Sequence, residues 1–262
     1  MLVVVAIAMC AAVNAPPAGA ITFGQLDGDR HPEVGALVAT FGAGGSFSVL
    51  CSGTLISPTV FMTASHCTAF LESQGIPPHQ VWVTFDPTFG QSSPLHRGTY
   101  HTNPLYRSGG ASDTHDIAVV VLDRAVRGVT PARLPPAHLL DRLKAQHQLR
   151  AQQFTAVGYG TVRNDKTGGP HHLSFDGKRR FAEQGFNALT KAWLKLSENP
   201  STGSGGTCYG DSGGPHFLGG PGSNLVVALT VTGDFWCRST DVDYRVDTTS
   251  AQSFLSEFVT LP

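Results

Sequence analysis

"TCYGDSGGPHF" (207–217) sets one serine, Ser212, between an aspartate and two glycines, four residues after a cysteine. Two readings of this stretch compete: an ordinary glycine turn between strands, or a turn that presents a nucleophile. A serine hydroxyl is a weak nucleophile at its own pKa and needs an adjacent base. Histidine is the side chain suited to that task near neutral pH. The histidine in turn needs a carboxylate to fix its tautomer and stabilise the imidazolium. The rest of the chain therefore has to supply both partners.

With 11 histidines in the chain, the presence of one decides little. His66, in "TASHC" (63–67), follows an apolar run and adjoins Cys67, whose disulfide would hold the neighbouring backbone. Asp116, in "HDIAVVVL" (115–122), opens an apolar run at what would be a core edge, where a buried acid needs a partner. Asp113, in the polar stretch "GGASDTH" (109–115), is its near rival.

The 262 residues are 41% hydrophobic and 14% charged, enough for one large β domain or two small ones. A formal net charge of −1 provides no basic field for nucleic acid or an anionic membrane surface. With 30 Gly and 17 Pro, the chain reads as short strands joined by many turns. Runs rich in Val, Thr and aromatics fall at 34–41, 48–56, 60–65, 81–85, 116–122, 154–160 and 225–233. Two segments read as helices: 136–147, with leucines at 139, 140 and 143, and 248–259. In the second, Thr249 and Gln252 make a capping-box pattern, and Phe254, Leu255 and Phe258 share a face. The pattern predicts an all-β barrel architecture, one barrel or two packed together, with a C-terminal helix.

Residues 1–20 differ from the rest. An apolar run ends in Ala18-Gly19-Ala20, as in a secretory signal cleaved after Ala20, although no Lys or Arg precedes the run. Removal of this segment takes Cys10 with it and leaves Cys51, Cys67, Cys208 and Cys237. In an exported chain these predict two disulfides, and three pairings are open. The simplest is local: Cys51 with Cys67, and Cys208 with Cys237. The first would close a loop of about 15 residues, worth ~3 kcal/mol in the chain-entropy picture. There is no C-x-x-C pair of the kind zinc sites use, and no metal or cofactor is expected; His115, His171 and His172 read as solvated loop residues.

"TASHC", "DIAVVVL" and "CYGDSGGP" together resemble the three motifs of the chymotrypsin-like, trypsin-fold serine proteases, in the order His, Asp, Ser. "CSGTLISPTVFMTASHC" (51–67) and "AVGYGT" (156–161) are similar to further strands of that family, so the resemblance runs from about Ile21 to the terminal helix. In its glycine-rich length and two-disulfide economy the chain resembles secreted bacterial members of that family. The resemblance implies two packed six-stranded antiparallel barrels over 21–262, with the site between them. It implies that Ser212 attacks the scissile carbonyl, that His66 carries the proton, and that Asp116 orients His66. It places an oxyanion hole at the N–H groups of Gly210 and Ser212. It also implies an ion pair between Asp211 and a new amine at Ile21, since "ITFG" (21–24) is similar to the family's mature start; signal cleavage would then yield the active terminus directly.

By the same resemblance, Gly206 lies at the bottom of the primary specificity pocket, followed by Thr207. The acid that trypsin-like members carry at that position is missing. Thr230 and Thr232 form a wall, and Val242 would make the pocket shallow. That favours small or medium apolar side chains; the opposite reading has Asp241 or Asp243 reaching the pocket and attracting basic ones. The function implied is a secreted serine endopeptidase acting on proteins or peptides, with a protein inhibitor as a further partner. Neither nucleic acid nor, once the signal is removed, a membrane is an expected partner. The alternatives are a catalytically silent relative that binds a protein partner and a hydrolase of non-peptide esters.

Overall fold

A computed structural model describes residues 21–42, 44–163 and 173–262. The signal-like segment 1–20, Cys10, His171 and His172 lie outside the described residues. Strand pairing begins with a two-residue strand, β1 (Gln25–Leu26). The long apolar runs then fold on one another as antiparallel neighbours: β2 (Val34–Thr40), β3 (Phe47–Ser57) and β4 (Val60–Thr63). A short helix, α1 (Ser65–Ser73), follows β4. β5 (Val81–Thr84), β6 (His96–Thr102) and β7 (Ala118–Leu122) complete a closed barrel in the order β2-β3-β4-β7-β6-β5. Closure leaves no free strand edge on which another chain could pair.

A connection carrying α2 (Leu139–Ala145) leads to β8 (Gln153–Gly158). A minor two-stranded sheet, β9 (Val162–Arg163) with β10 (Leu173–Ser174), precedes β11 (Arg180–Leu189) and β12 (Trp193–Ser197). Then come β13 (Pro215–Leu218), β14 (Val226–Gly233), β15 (Thr240–Arg245) and the terminal helix α3 (Thr249–Leu255). β8, β11, β12, β15, β14 and β13 close a second barrel, and β1 adds to the outside of β11. The expected all-β architecture of two six-stranded antiparallel barrels with a C-terminal helix is what the chain adopts.

One apolar core spans the barrels. Leu55 and Phe61 of the first join Val157, Phe217 and Tyr244 of the second, and Phe254 and Leu255 of α3 cover it. Burying such side chains stabilises by roughly 25 cal/mol per Å² of apolar surface. A buried ion cluster staples the start of the chain to this body. Arg179 donates to Asp27 at 2.8 Å and to the carbonyls of Val34 and Phe85, while Asp27 also accepts from His31.

The structure departs from the sequence expectation in three places. Helix α1 was not anticipated; its sequence, SHCTAFLES, is short and is held by the Cys67 disulfide rather than by propensity. The expected capping box at Thr249 is displaced by one: the cap is Thr248, whose hydroxyl accepts from Ala251 N–H. Strands β6, β11, β12, β13 and β15 also lack clear signatures; β15, TDVDYR, turns its aspartates inward and so reads as polar surface.

Candidate active site

β4 delivers the chain into α1, and His66 sits on the first turn. Two links fix that turn. Cys67 is joined to Cys51 on β3, and Ser65 Oγ donates to Ile117 O at 2.7 Å while accepting from Asn103 N–H. The Ser65 bond ties the helix start to the segment that carries Asp116. Asp116 Oδ1 accepts from the His66 backbone N–H at 2.8 Å, and Oδ2 lies 2.9 Å from His66 Nδ1. The carboxylate is buried, whereas the imidazole is 28% exposed. An ionised carboxylate here favours the tautomer with its proton on Nδ1, which frees Nε2 to accept one. Asp113 is engaged elsewhere: its Oδ1 accepts from Tyr244 Oη at 2.8 Å and from His115 N–H.

Ser212 lies in the loop ahead of β13, half-buried, and its loop is sewn to the first barrel through Ser52 of β3. Ser52 N–H donates to Ser212 O at 2.9 Å, its hydroxyl donates to Gly210 O at 3.0 Å, and the same hydroxyl accepts from Tyr159 N–H. Thr63 Oγ1 completes the contact by donating to Ser52 O. Nothing in "CSGTLI" (51–56) marks this residue as a link between the barrels.

The glycines serve two ends. Gly210 has φ +98°, a conformation that L side chains rarely adopt. Gly213 has φ +78°, and a Cβ there would lie 2.2 Å from Thr63 Oγ1 and 2.7 Å from Ala64 N. The serine loop thus packs directly on the end of β4, the strand that leads to His66. Among the described residues, the N–H groups of Gly210 and Ser212 donate to no protein acceptor.

A family model for trypsin matches residues 29–254. The chain belongs to the trypsin family. No curated protein matches it. The family is that of the chymotrypsin-like serine proteases, in line with the two barrels and the motif order.

In this trypsin-family chain a cavity of about 300 Å³ opens beside Ser212. Thr207, Cys208 and Tyr209 form one side; Thr230 to Phe235 and Cys237 form the other. The Cys208–Cys237 disulfide joins the two sides. Of the residues expected in a specificity pocket, Thr207, Thr230 and Thr232 line this cavity, and Gly206 does not. Gly206 instead pairs with Thr22, N–H to O in both directions, and a Cβ on it would strike the Glu198 side chain. Val242 lies opposite Thr232 on β15 but is also absent from the lining. Asp241 and Asp243 are fully buried behind the lining, and Thr207 Oγ1 donates to Asp241 at 2.7 Å. Sequence reasoning missed the aromatic rim: Tyr209 and Phe235 are exposed, and Phe235 packs edge-on to Tyr209 and Trp236.

The trypsin-family position Asp211 is wholly buried. Its carboxylate accepts from Gly160 N–H at 2.8 Å and Cys208 N–H at 2.9 Å. Burial pushes its pKa up to about 7, and those two bonds only partly oppose the rise. Ile21 is also fully buried, packed with Ala156 and Ala182.

Proposed function

We propose that the chain is a secreted serine endopeptidase, with Ser212 as nucleophile, His66 as general base and acid, and Asp116 as the group that orients His66. The observation that carries this reading is the double grip of Asp116 on His66, at the backbone N–H and at Nδ1. In the proposed reaction Ser212 Oγ forms a bond to the scissile carbonyl carbon and passes its proton to His66 Nε2. The carbonyl oxygen becomes an oxyanion, received by the uncommitted N–H groups of Gly210 and Ser212; loss of one such donor costs about 10²–10³-fold in rate. Collapse breaks the C–N bond as His66 returns the proton to the leaving amine. Water then repeats the sequence on the acyl-enzyme.

Signal removal after Ala20 would create an amine at Ile21 that pairs with Asp211. Two features support it. Asp211 is buried with two N–H donors, and it has no cationic partner among the described residues. Ile21 is β-branched yet holds φ +52°, a strained conformation in a continuous chain; cutting the preceding bond removes the carbonyl responsible. The signal segment and the two disulfides support export, and no helix among the described residues is long and apolar enough to cross a membrane. The threonine-lined cavity and its aromatic rim support a preference for apolar side chains: Asp241 and Asp243 are buried behind Thr207, and Asp234, which does line the cavity, has its carboxylate engaged by the N–H groups of Trp236, Arg238, Ser239 and Thr240. Partners are protein or peptide substrates and a protein inhibitor.

The test is a fluorophosphonate probe on residues 21–262 made under oxidising conditions, with Ser212→Ala as control. Labelling at Ser212 alone, followed by peptide-library cleavage, is the expected result. A folded, correctly processed chain that does not label would overturn this reading in favour of a silent binding protein.

A further inference from the structure

The interior of the second barrel holds ionisable side chains that the proposed reaction does not use. His216 on β13, and Asp241 and Asp243 on β15, are fully buried. The register brings them together: Asp241 and Asp243 are two residues apart and share a face, and Thr230 of β14 lies opposite Asp243. His216 Nε2 is 2.8 Å from Asp243 Oδ1, 3.7 Å from Asp241 Oδ2 and 3.0 Å from Thr230 Oγ1. One nitrogen of the histidine and one oxygen of each aspartate all lie within 4.8 Å of one another.

Two further observations set this group apart from an ordinary buried pair. No N–H or hydroxyl group donates to Asp243 among the described residues, so the close approach of Nε2 is off the N–H axis, and its other close polar neighbour is the carboxyl of Asp241. A buried, unpartnered carboxylate is expensive. Among the described residues, no Lys or Arg pairs with it. Glu198, buried nearby with both oxygens unpartnered, feels Asp241, Asp243, Asp234 and Asp211, all acidic. Asp241, by contrast, is oriented as a ligating carboxylate would be, with Gln184 Nε2 donating to one oxygen and Thr207 Oγ1 to the other.

We propose that His216, Asp241 and Asp243 bind one divalent metal ion of the zinc type inside the second barrel. One imidazole nitrogen with carboxylate oxygens is a donor set that suits zinc, manganese or iron(II) rather than calcium. The chain has no zinc-finger-like spacing because His216 comes from β13 and the two aspartates from β15. The other cysteine–histidine cluster, Cys51, His66 and Cys67, has its sulfurs in a disulfide and offers no thiolate. The ion would lie one layer behind Thr207 and Thr230, so it braces the cavity beside Ser212 from within.

The test uses the full chain carrying Ser212→Ala, so that neither catalysis nor self-cleavage enters. The protein is refolded with Zn(II) and, in parallel, with Mn(II) or Co(II), passed through metal-free buffer, and its metal content measured by mass spectrometry. About one ion per chain is expected, falling below about 0.1 in Asp243→Asn and His216→Gln, with a raised unfolding midpoint only where the ion is retained. Should both substitutions prevent folding, pulsed EPR of the Cu(II)-loaded parent reads the coordination directly, and one bound imidazole is expected. A parent chain that retains no Zn(II), Mn(II) or Co(II) overturns the proposal: protons shared among the carboxyls then hold the cluster together. Retention unchanged in folded variants, or a Cu(II) signal without imidazole, overturns it as well.

Discussion

The two barrels close with the same number of strands but fill themselves differently. In the first, the strands bury apolar side chains with a few hydroxyls (Ser52, Thr54, Thr63 and Thr84), and no charged residue of those strands is buried. Its charged pair, His66 and Asp116, stands at the rim. In the second, the strands bury Arg180, Gln184, His216, Asp241, Asp243 and Arg245. Arg180 and Arg245 have carboxylate partners in Asp176 and Asp247. The acids near His216 do not: burial and neighbouring carboxylates push Glu198 up to about 10 and Asp243 well above the usual range. A barrel can thus be built with no buried charge on its strands, while its partner carries buried charge that must be neutralised by protons, an amine or a metal.

The largest test of this contrast lies at the rim. If acids of the first half work only where they grip His66, Asp116→Asn lowers kcat by about 10⁴-fold, whereas Asp113→Asn stays within a few-fold. Equal losses in steady-state kinetics would dissolve the distinction. Next is the apolar interior. Phe61→Ala is expected to cost about 3–5 kcal/mol in urea denaturation, by the same amount at pH 5 and pH 8.

The second barrel gives the opposite, pH-dependent response. Asp211 is raised from 3.8 to about 7 in the folded chain, so its proton is bound more tightly when folded. The associated stability is present below pH 4 and lost as pH rises through 7, at up to about 1.4 kcal/mol per pH unit. Melting curves of a chain with residues left before Ile21 should show this slope. A chain beginning at Ile21 should show a much flatter one, and equal slopes would remove the amine from the account.

Two smaller substitutions sharpen the comparison inside the first barrel. Ser52→Ala leaves Gly210 O and Tyr159 N–H without a buried partner and should cost about 1–3 kcal/mol. Thr54, two residues on, is buried with an unpartnered hydroxyl. Thr54→Val should therefore be neutral or stabilising, by about 0.5 kcal/mol, as read from the melting midpoint.

The same contrast explains what could be read from sequence. β2, β3, β4, β5 and β7 are visible because their inward positions are apolar. β15 is not, because alternation places Asp241, Asp243 and Arg245 inward, and hydropathy marks them as surface. In the site, the motifs single out Ser212, His66 and Asp116, but spacing alone leaves Asp113 open. The tertiary contact of Asp113 with Tyr244, 131 residues away, resolves it. Ser52 and Glu198 carry no local signal, since Ser52 matters through Gly210, Ser212 and Tyr159, and Glu198 through acids elsewhere in the chain. Gly206 was expected at the pocket floor; in the fold its missing side chain makes room for Glu198.

The strap formed by Thr22 has a consequence in time. Its backbone pairs with Gly206 and its hydroxyl with Cys237 O, 215 residues further along the chain. A polypeptide made from its N-terminus therefore synthesises this segment early and can dock it only at the end, once almost everything else has emerged. Contacts of such long sequence separation close late. The wall beside the candidate pocket is completed last, so a half-made chain holds every residue of the first barrel, including His66 and Asp116, with no finished cleft in which to use them.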